Sequence, residues 1–172
     1  GRGPGNGTRF AIVGQPGNPE ARFRTGVQIV TPDFVDTLGI RMISGRNISA
    51  HDTANSVRVA TVSEYFVKQY LAGVDPLTQR ISFPEIIPNV PRGKPVEWQI
   101  VGVYHDLRGA GFREEFPEIN IPFAQNPWPQ ASVALKTSGD PKSVIKSVAA
   151  AVSSVDPDMP LAGVQTIDEI VS

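Results

Sequence analysis

At Thr31-Pro32 and at Asp140-Pro141 a helix-capping residue is followed directly by proline. Proline at the first helical position loses nothing, because that N–H has no partner inside a helix and the fixed φ already suits the turn. A side-chain oxygen just before it accepts from one of the free N–H groups beyond. These two dipeptides therefore predict helix starts. Phe34, Val35 and Leu38 give the first helix, Pro32 to Leu38, an apolar stripe, and Gly39 supplies a left-handed stop. Val144, Ile145, Val148, Val152 and Val155 recur at helical spacing after Pro141, and Asp156-Pro157 ends that run. A third helix is predicted after the cap Ser63, with Phe66, Val67, Tyr70 and Leu71 on one face and Gly73 past its end.

Between the helices lie short runs with the two-residue period of strands. Phe10 to Val13 is one, and Phe23 to Val30 another, with Phe23, Thr25, Val27 and Ile29 on one face. Ile40 to Ser44 closes into Gly45-Arg46, and the β-branched run Val57 to Val62 is a further strand. Gln79 to Phe83 leads into a proline-rich tip, Pro84 to Pro95. Val96 to Tyr104 follows, with Val96, Trp98, Ile100 and Gly102 on one side and Ile119 to Phe123 as a candidate neighbour. Ser132 to Lys136 and Leu161 to Val164 complete the strands. Strands mixed with isolated helices give an α+β fold, with βαβ-like units at each end and a β-rich middle.

With 40% hydrophobic residues and a net charge of -1, the chain is globular and carries no electrostatic footprint for nucleic acid or an anionic membrane. It has no cysteine, which excludes a disulfide framework, thiolate metal sites and cysteine-protease chemistry. No apolar run approaches the roughly 20 residues that span a bilayer.

Catalytic motifs are equally scarce. The only histidines each precede an aspartate, His51-Asp52 and His105-Asp106. Four such ligands could hold a metal of the zinc type, but both pairs stand where a strand meets a loop, and turn formation explains them. No nucleophile elbow occurs. Gly109-Ala110-Gly111-Phe112 is too short for a dinucleotide fingerprint, and the glycines of residues 1–7 lack the Lys-Ser/Thr of a phosphate loop. Glu114, Glu115 and Glu118 read as a solvated acidic loop. Trp98 is expected in the core; Trp128, between Pro127 and Pro129, either docks a partner or covers a local apolar patch. No catalytic, cofactor or metal residue is assigned.

The ends read as a loop and an unfinished helix. Residues 1–7 are too rich in glycine to order cheaply. Thr166-Ile167-Asp168-Glu169 is a capping box followed by only three residues, which suggests a helix cut short.

Several phrases, in order, resemble the periplasmic core domain of MacB-like ABC-transporter permeases. The resemblance is to the orphan-permease type abundant in acidobacteria, within the FtsX-like permease superfamily. Val30-Thr31-Pro32-Asp33-Phe34 through Thr37-Leu38-Gly39-Ile40 to Ser44-Gly45-Arg46 is similar to the family's "VSPxYFxTLGIPLLxGR", with Asp52 at the expected turn. Val59 to Tyr70 resembles "VAIVNExxAxxY", with Ser63 for the usual Asn. Asp75-Pro76-Leu77 resembles "DPxGKxI" loosely. Ile100-Val101-Gly102-Val103 with Asp106-Leu107-Arg108 resembles "VVGVVxDVR". Gly139-Asp140-Pro141 and Val155 to Pro160 resemble the closing "GDP…DPxxPV".

The resemblance implies a domain between the first two membrane helices of a permease. A porter-like α/β subdomain would come from residues 1–53 and 130–172, lacking its first strand and helix, with residues 54–129 as a β-rich insertion. It implies no catalysis and no cofactor; the domain would relay motion between the permease's own transmembrane helices and a cytoplasmic ATPase during export or efflux. Permease dimerisation is implied too. The location would be the periplasmic face of the bacterial inner membrane, and the parent gene would encode one membrane helix before Gly1 and more after Ser172. The alternatives are a stand-alone extracytoplasmic module binding peptide or lipid and, below it, a metal-dependent hydrolase using His51 and His105.

Overall fold

The computed structural model describes residues 6–15, 23–88, 93–106, 116–129, 132–159 and 163–166. The chain forms two compact units, one of residues 2–106 and 114–134, the other of residue 1 with 107–113 and 135–172. The architecture is mixed α and β with few helices and a sheet-rich core.

The larger unit is built on seven strands: β1 (Asn6–Ile12), β2 (Phe23–Val30), β3 (Met42–Gly45), β4 (Val59–Ser63), β5 (Arg80–Pro84), β6 (Pro95–Tyr104) and β7 (Glu118–Pro122). Their order is β3-β6-β4-β7-β2-β1-β5, and β5 pairs again with β6. The order thus returns to β6, and six strands close into a ring with β3 outside it. Closure removes the free edges of those six strands, which would otherwise recruit other chains. Strands from residues 1–53 and from 54–129 share this one sheet. Residues 6 and 7, expected in a loop, belong to β1, because Asn6 and Gly7 pair with Val27 and Gly26. β7 lies beside β4 and β2 rather than next to β6.

The ring is filled by Phe10, Val27, Ala60, Val62, Ile81, Phe83, Trp98, Ile100, Val103, Ile119 and Ile121. One short helix covers part of it. In α2 (Glu64–Tyr70) the Ser63 hydroxyl accepts from the Phe66 N–H, as its sequence predicts. That cap aims Phe66 and Leu71 into the core, with Val67 and Tyr70 at its margin. Phe66 and Tyr70 meet Phe10 at centroid distances of 4.9 and 5.0 Å. The Tyr70 hydroxyl donates to the Arg24 carbonyl, so its polar tip stays satisfied.

β6 carries the decisive irregularity. Ala60 pairs with Ile100, but Thr61 pairs with Gly102, leaving Val101 as an extra residue. A bulge of this kind reverses which face later residues occupy. Trp98 and Ile100 point into the core as expected, whereas Gly102 and Tyr104 turn to the other face and Val103 takes the inner place. The Val101 carbonyl accepts from the Arg46 N–H at 2.9 Å.

The first proline-led helix is shorter than expected. Pro32 and Asp33 form a turn, closed by Phe34 N–H to the Thr31 carbonyl, and α1 is the single turn Phe34–Thr37. Thr31 therefore caps nothing; Gly39, at φ +70°, stops the turn as predicted.

In the smaller unit Asp140 does cap, accepting from the Lys142 N–H at 3.0 Å. A 3₁₀ turn, Pro141–Val144, leads into α3 (Ile145–Val155). Its stripe of Val144, Ile145, Val148 and Val152 is half-buried. Ser132 to Lys136 has no ladder partner among the described residues, since alternation supplies a face but not a neighbouring edge. The capping box beyond Thr166 and residues 161 and 162 of the expected strand 161–164 lie outside the described residues, and residues 163 and 164 form no strand.

Gly45 and Gly102 meet back to back. A Cβ on Gly102 would overlap the Arg46 carbonyl oxygen and the Met42 side chain, and one on Gly45 would overlap the Val101 carbonyl. Gly102→Ala is expected to destabilise the chain by about 1–3 kcal/mol through overpacking. Urea unfolding checks this, as a lower midpoint with an unchanged slope.

Candidate functional site

Asp52, His105 and Asp106 each end in a structural contact, His51 is exposed, and residues 109–112, Glu114 and Glu115 lie outside the described residues. In the first His-Asp pair the aspartate faces an arginine. Asp52 is buried at 5% exposure, and its two oxygens accept from Arg46 Nη1 and Nη2, each at 2.8 Å. The Ser49 N–H and hydroxyl donate to the same carboxylate. Gly45 sets this up: its φ of +70° turns the chain so that Arg46 folds back over the following loop. The Arg46 hydrogen bonds hold the Asp52 carboxyl below the usual range, with the Ser49 N–H adding to that pull against the opposing effect of burial.

The second pair serves α2. Asp106 Oδ1 accepts from the Tyr65 N–H at 3.0 Å, a second cap beside Ser63. His105 Nδ1 lies 3.2 Å from Glu64, which also pairs with Lys68 at 2.8 Å. Lys68, then His105, draw the Glu64 carboxyl down. Asp52 and Asp106 thus belong to separate structural bonds. Among the described residues no group of three or more His, Asp or Glu side chains is placed to hold a metal.

Two clusters carry residues that periodicity did not flag. The first closes one end of the ring. Buried Gln125 donates to the carbonyls of Thr53 and Val57 and to the Ser56 hydroxyl, and accepts from the Val59 N–H. Asn126 donates to the Ile86 carbonyl. Arg58 reaches the Gln125 carbonyl and Glu85 while lying 5.2 Å over the Trp98 ring, which stacks on Phe83. Trp98 is core, as expected. Trp128 is half-exposed nearby in sequence.

The second cluster lies on the outer face of the sheet. Pairing places Glu118 beside Ser63, with a direct Glu118 N–H to Ser63 hydroxyl bond, and Ser63 beside Tyr104. The next row holds Gln28, Asn120, Thr61 and Gly102. Thr61, Ser63, Tyr104 and Asn120 are all buried. Glu118 is not the solvated loop residue expected: it lies in β7, half-buried, and accepts from Gln28 at 3.2 Å. Burial pushes its carboxyl up, with Asp106 adding to the effect against the Gln28 bond. Burial likewise drives the Tyr104 hydroxyl well up, helped by Glu118 and Asp106. The bulge created this face, and strand alternation alone would have assigned it to solvent.

The comparisons with known proteins agree with this architecture. Residues 6–155 match the MacB-like periplasmic core domain. The chain belongs to that family. No curated protein matches it. Its fold is similar to the periplasmic region of MacB from Actinobacillus actinomycetemcomitans, with a TM-score of 0.59 at 15% identity over 87% of this chain and 63% of that one. It is similar also to a domain of a permease protein from Porphyromonas gingivalis, at 0.52 and 18% over 89% and 61%. The extracellular domain of the ABC-type transporter YknZ from Gram-positive bacteria gives 0.54 and 13% over 88% and 74%. At these identities the likeness is one of fold. The core domain here spans less than two thirds of the MacB region, and no helix among the described residues is long and apolar enough to cross a membrane.

In this core domain the phrase Ser44-Gly45-Arg46 with Asp52 is a clamp. Asp52→Asn is expected to cost about 1–2 kcal/mol at neutral pH, moderated because Arg46 is 49% exposed. A folded-state carboxyl held low contributes above its unfolded value of about 4 and loses that contribution as pH falls through the folded value. The gap between parent and variant should therefore close only in acid, as read by urea unfolding across pH. Glu118→Gln has the opposite sign. A carboxyl held high costs stability once pH rises through its folded value, so this variant should be more stable than the parent at pH 7 and converge with it in acid.

Proposed function

We propose that this periplasmic core domain is non-catalytic and relays movement between membrane helices and an ATPase of the same transporter during export or efflux. The match of residues 6–155 to the periplasmic core domain family carries this reading. A second observation supports it: Asp52 is tied into a clamp with Arg46, Asp106 caps α2 and His105 lies against Glu64. Such bonds stiffen a body that must move as a unit, which is what mechanical coupling through packed elements requires. The turn and helix at Pro32 to Leu38, the helix from Pro141 to Val152 and the lead-out at Thr166 are the elements through which motion would pass. In this reading residues 130–172 supply porter-like structure, the partners are the permease's own membrane helices, its cytoplasmic ATPase and a second permease copy, and the domain lies on the periplasmic face of the inner membrane.

The test uses the assembled transporter in lipid. Spin labels at the exposed positions Gln69 and Ser147 should report a distance distribution that changes between nucleotide-free and ATP-trapped states. A distribution indifferent to nucleotide, together with tight calorimetric binding of a peptide or lipid by the isolated chain, would replace the relay with a ligand-binding role.

A further inference from the structure

Six buried side-chain atoms among the described residues have no hydrogen-bond partner, and four of them are oxygens of one neighbourhood. They are Thr61 Oγ1, Tyr104 Oη, Asp106 Oδ2 and Asn120 Oδ1. Thr61 stands directly opposite Asn120 across β4 and β7. Tyr104 pairs with Ser63, one row along, and Ser63 bonds the backbone of Glu118. Thr61, Ser63 and Tyr104 thus share one face with Asn120 and Glu118, and Asp106 follows Tyr104 by two residues. Gly102, opposite Thr61, adds no side chain to this surface.

Two features set the patch apart from ordinary sheet polarity. Thr61, Tyr104 and Asn120 are no more than 2% exposed, so bulk water does not satisfy their oxygens. Leaving such groups unpaired costs about 1–3 kcal/mol each, which calls for an ion or ordered water. Among the described residues neither carboxylate has a basic partner: Glu118 is met by the Gln28 amide and Asp106 by the Tyr65 N–H. Uncompensated negative charge together with an excess of oxygen acceptors fits a positive guest better than a neutral one.

We propose that this face binds one hard divalent cation, calcium or magnesium, through Asp106 Oδ2, Asn120 Oδ1, Thr61 Oγ1 and the Glu118 carboxylate, beside Tyr104. These are the all-oxygen donors such ions select. With only two carboxylates the affinity should fall in the range of about 0.1–1 mM, typical of extracellular modules. The cation would join β4 and β7 to the end of β6 and the start of α2, bracing the unit where Asp106 caps the helix. This assignment stands independently of the relay role, since it concerns the chain's own oxygens.

The 172-residue chain, stripped with chelator, is titrated with calcium and separately with magnesium by calorimetry and thermal unfolding. Saturable one-site binding and a rising Tm are expected. Asp106→Asn retains an oxygen to accept from Tyr65 and Glu118→Gln retains the shape of its side chain, so both should fold yet bind at least tenfold more weakly. Asp36→Asn, an exposed acid on α1, should bind as the parent does. Terbium in place of calcium should show tyrosine-sensitised emission that falls in Tyr104→Phe. Absence of saturable binding of either cation up to about 10 mM, or equal binding by parent and Glu118→Gln, overturns the proposal and leaves the oxygens to ordered water.

Discussion

Three neighbours share the ten residues of β6, and the extra residue Val101 decides how they fit. Before it, β6 pairs with β5 and turns Trp98 and Ile100 inward; after it, the strand pairs with β3 and turns Val103 inward instead. A strand without the bulge would put Val103 on the outer face and force Tyr104 into the ring. The bulge is tolerated because its carbonyl is taken by the Arg46 N–H and because Gly45 and Gly102 let two backbones approach where no side chain fits. The glycine and the arginine of one short phrase therefore answer to a single contact.

From that contact the remaining polar chemistry follows. Gly45 directs Arg46 onto Asp52, which ties down the loop after β3. The reversed face sets Tyr104 beside Ser63 and aims Asp106 at the start of α2, where the helix N–H groups need acceptors. α2 then closes the ring through Phe66 and Tyr70 against Phe10 and Phe23. Polar groups brace this body at one end, through Gln125 and Arg58, and on the outer face, in the Glu118 neighbourhood, while its centre is apolar.

Within the larger unit the closed ring resists deformation, because none of its six strands can peel away without breaking a ladder. Stiffness of that kind suits the relay role proposed above.

Local chemistry alone made much of this legible in the sequence. Caps at Ser63 and Asp140, the stop at Gly39, the inward face of β2 and the burial of Trp98 depend on near neighbours and on period, so sequence spacing reveals them. Ordered phrases such as Ser44-Gly45-Arg46 also carried the family resemblance. Other features depend on partners distant in the chain. Thr31 looks like a cap, but closing a turn onto Phe34 left α1 only one turn long. Ser132 to Lys136 alternates like a strand, yet pairing requires an edge that alternation cannot supply. Glu118 reads as a surface acid because its acidic neighbours do; its burial comes from β2 and β4, 90 and 55 residues away. Gln125 has no period at all, since its partners are three groups of the loop before β4 and the first N–H of β4, some 70 residues earlier. The sequence by itself determined the caps at Ser63 and Asp140, the stop at Gly39 and the inward residues of β2, because those choices are made over a few residues. Only the tertiary structure decided which face the end of β6 presents and which polar atoms share it, because one inserted residue reverses a strand and no local propensity records where its neighbours lie.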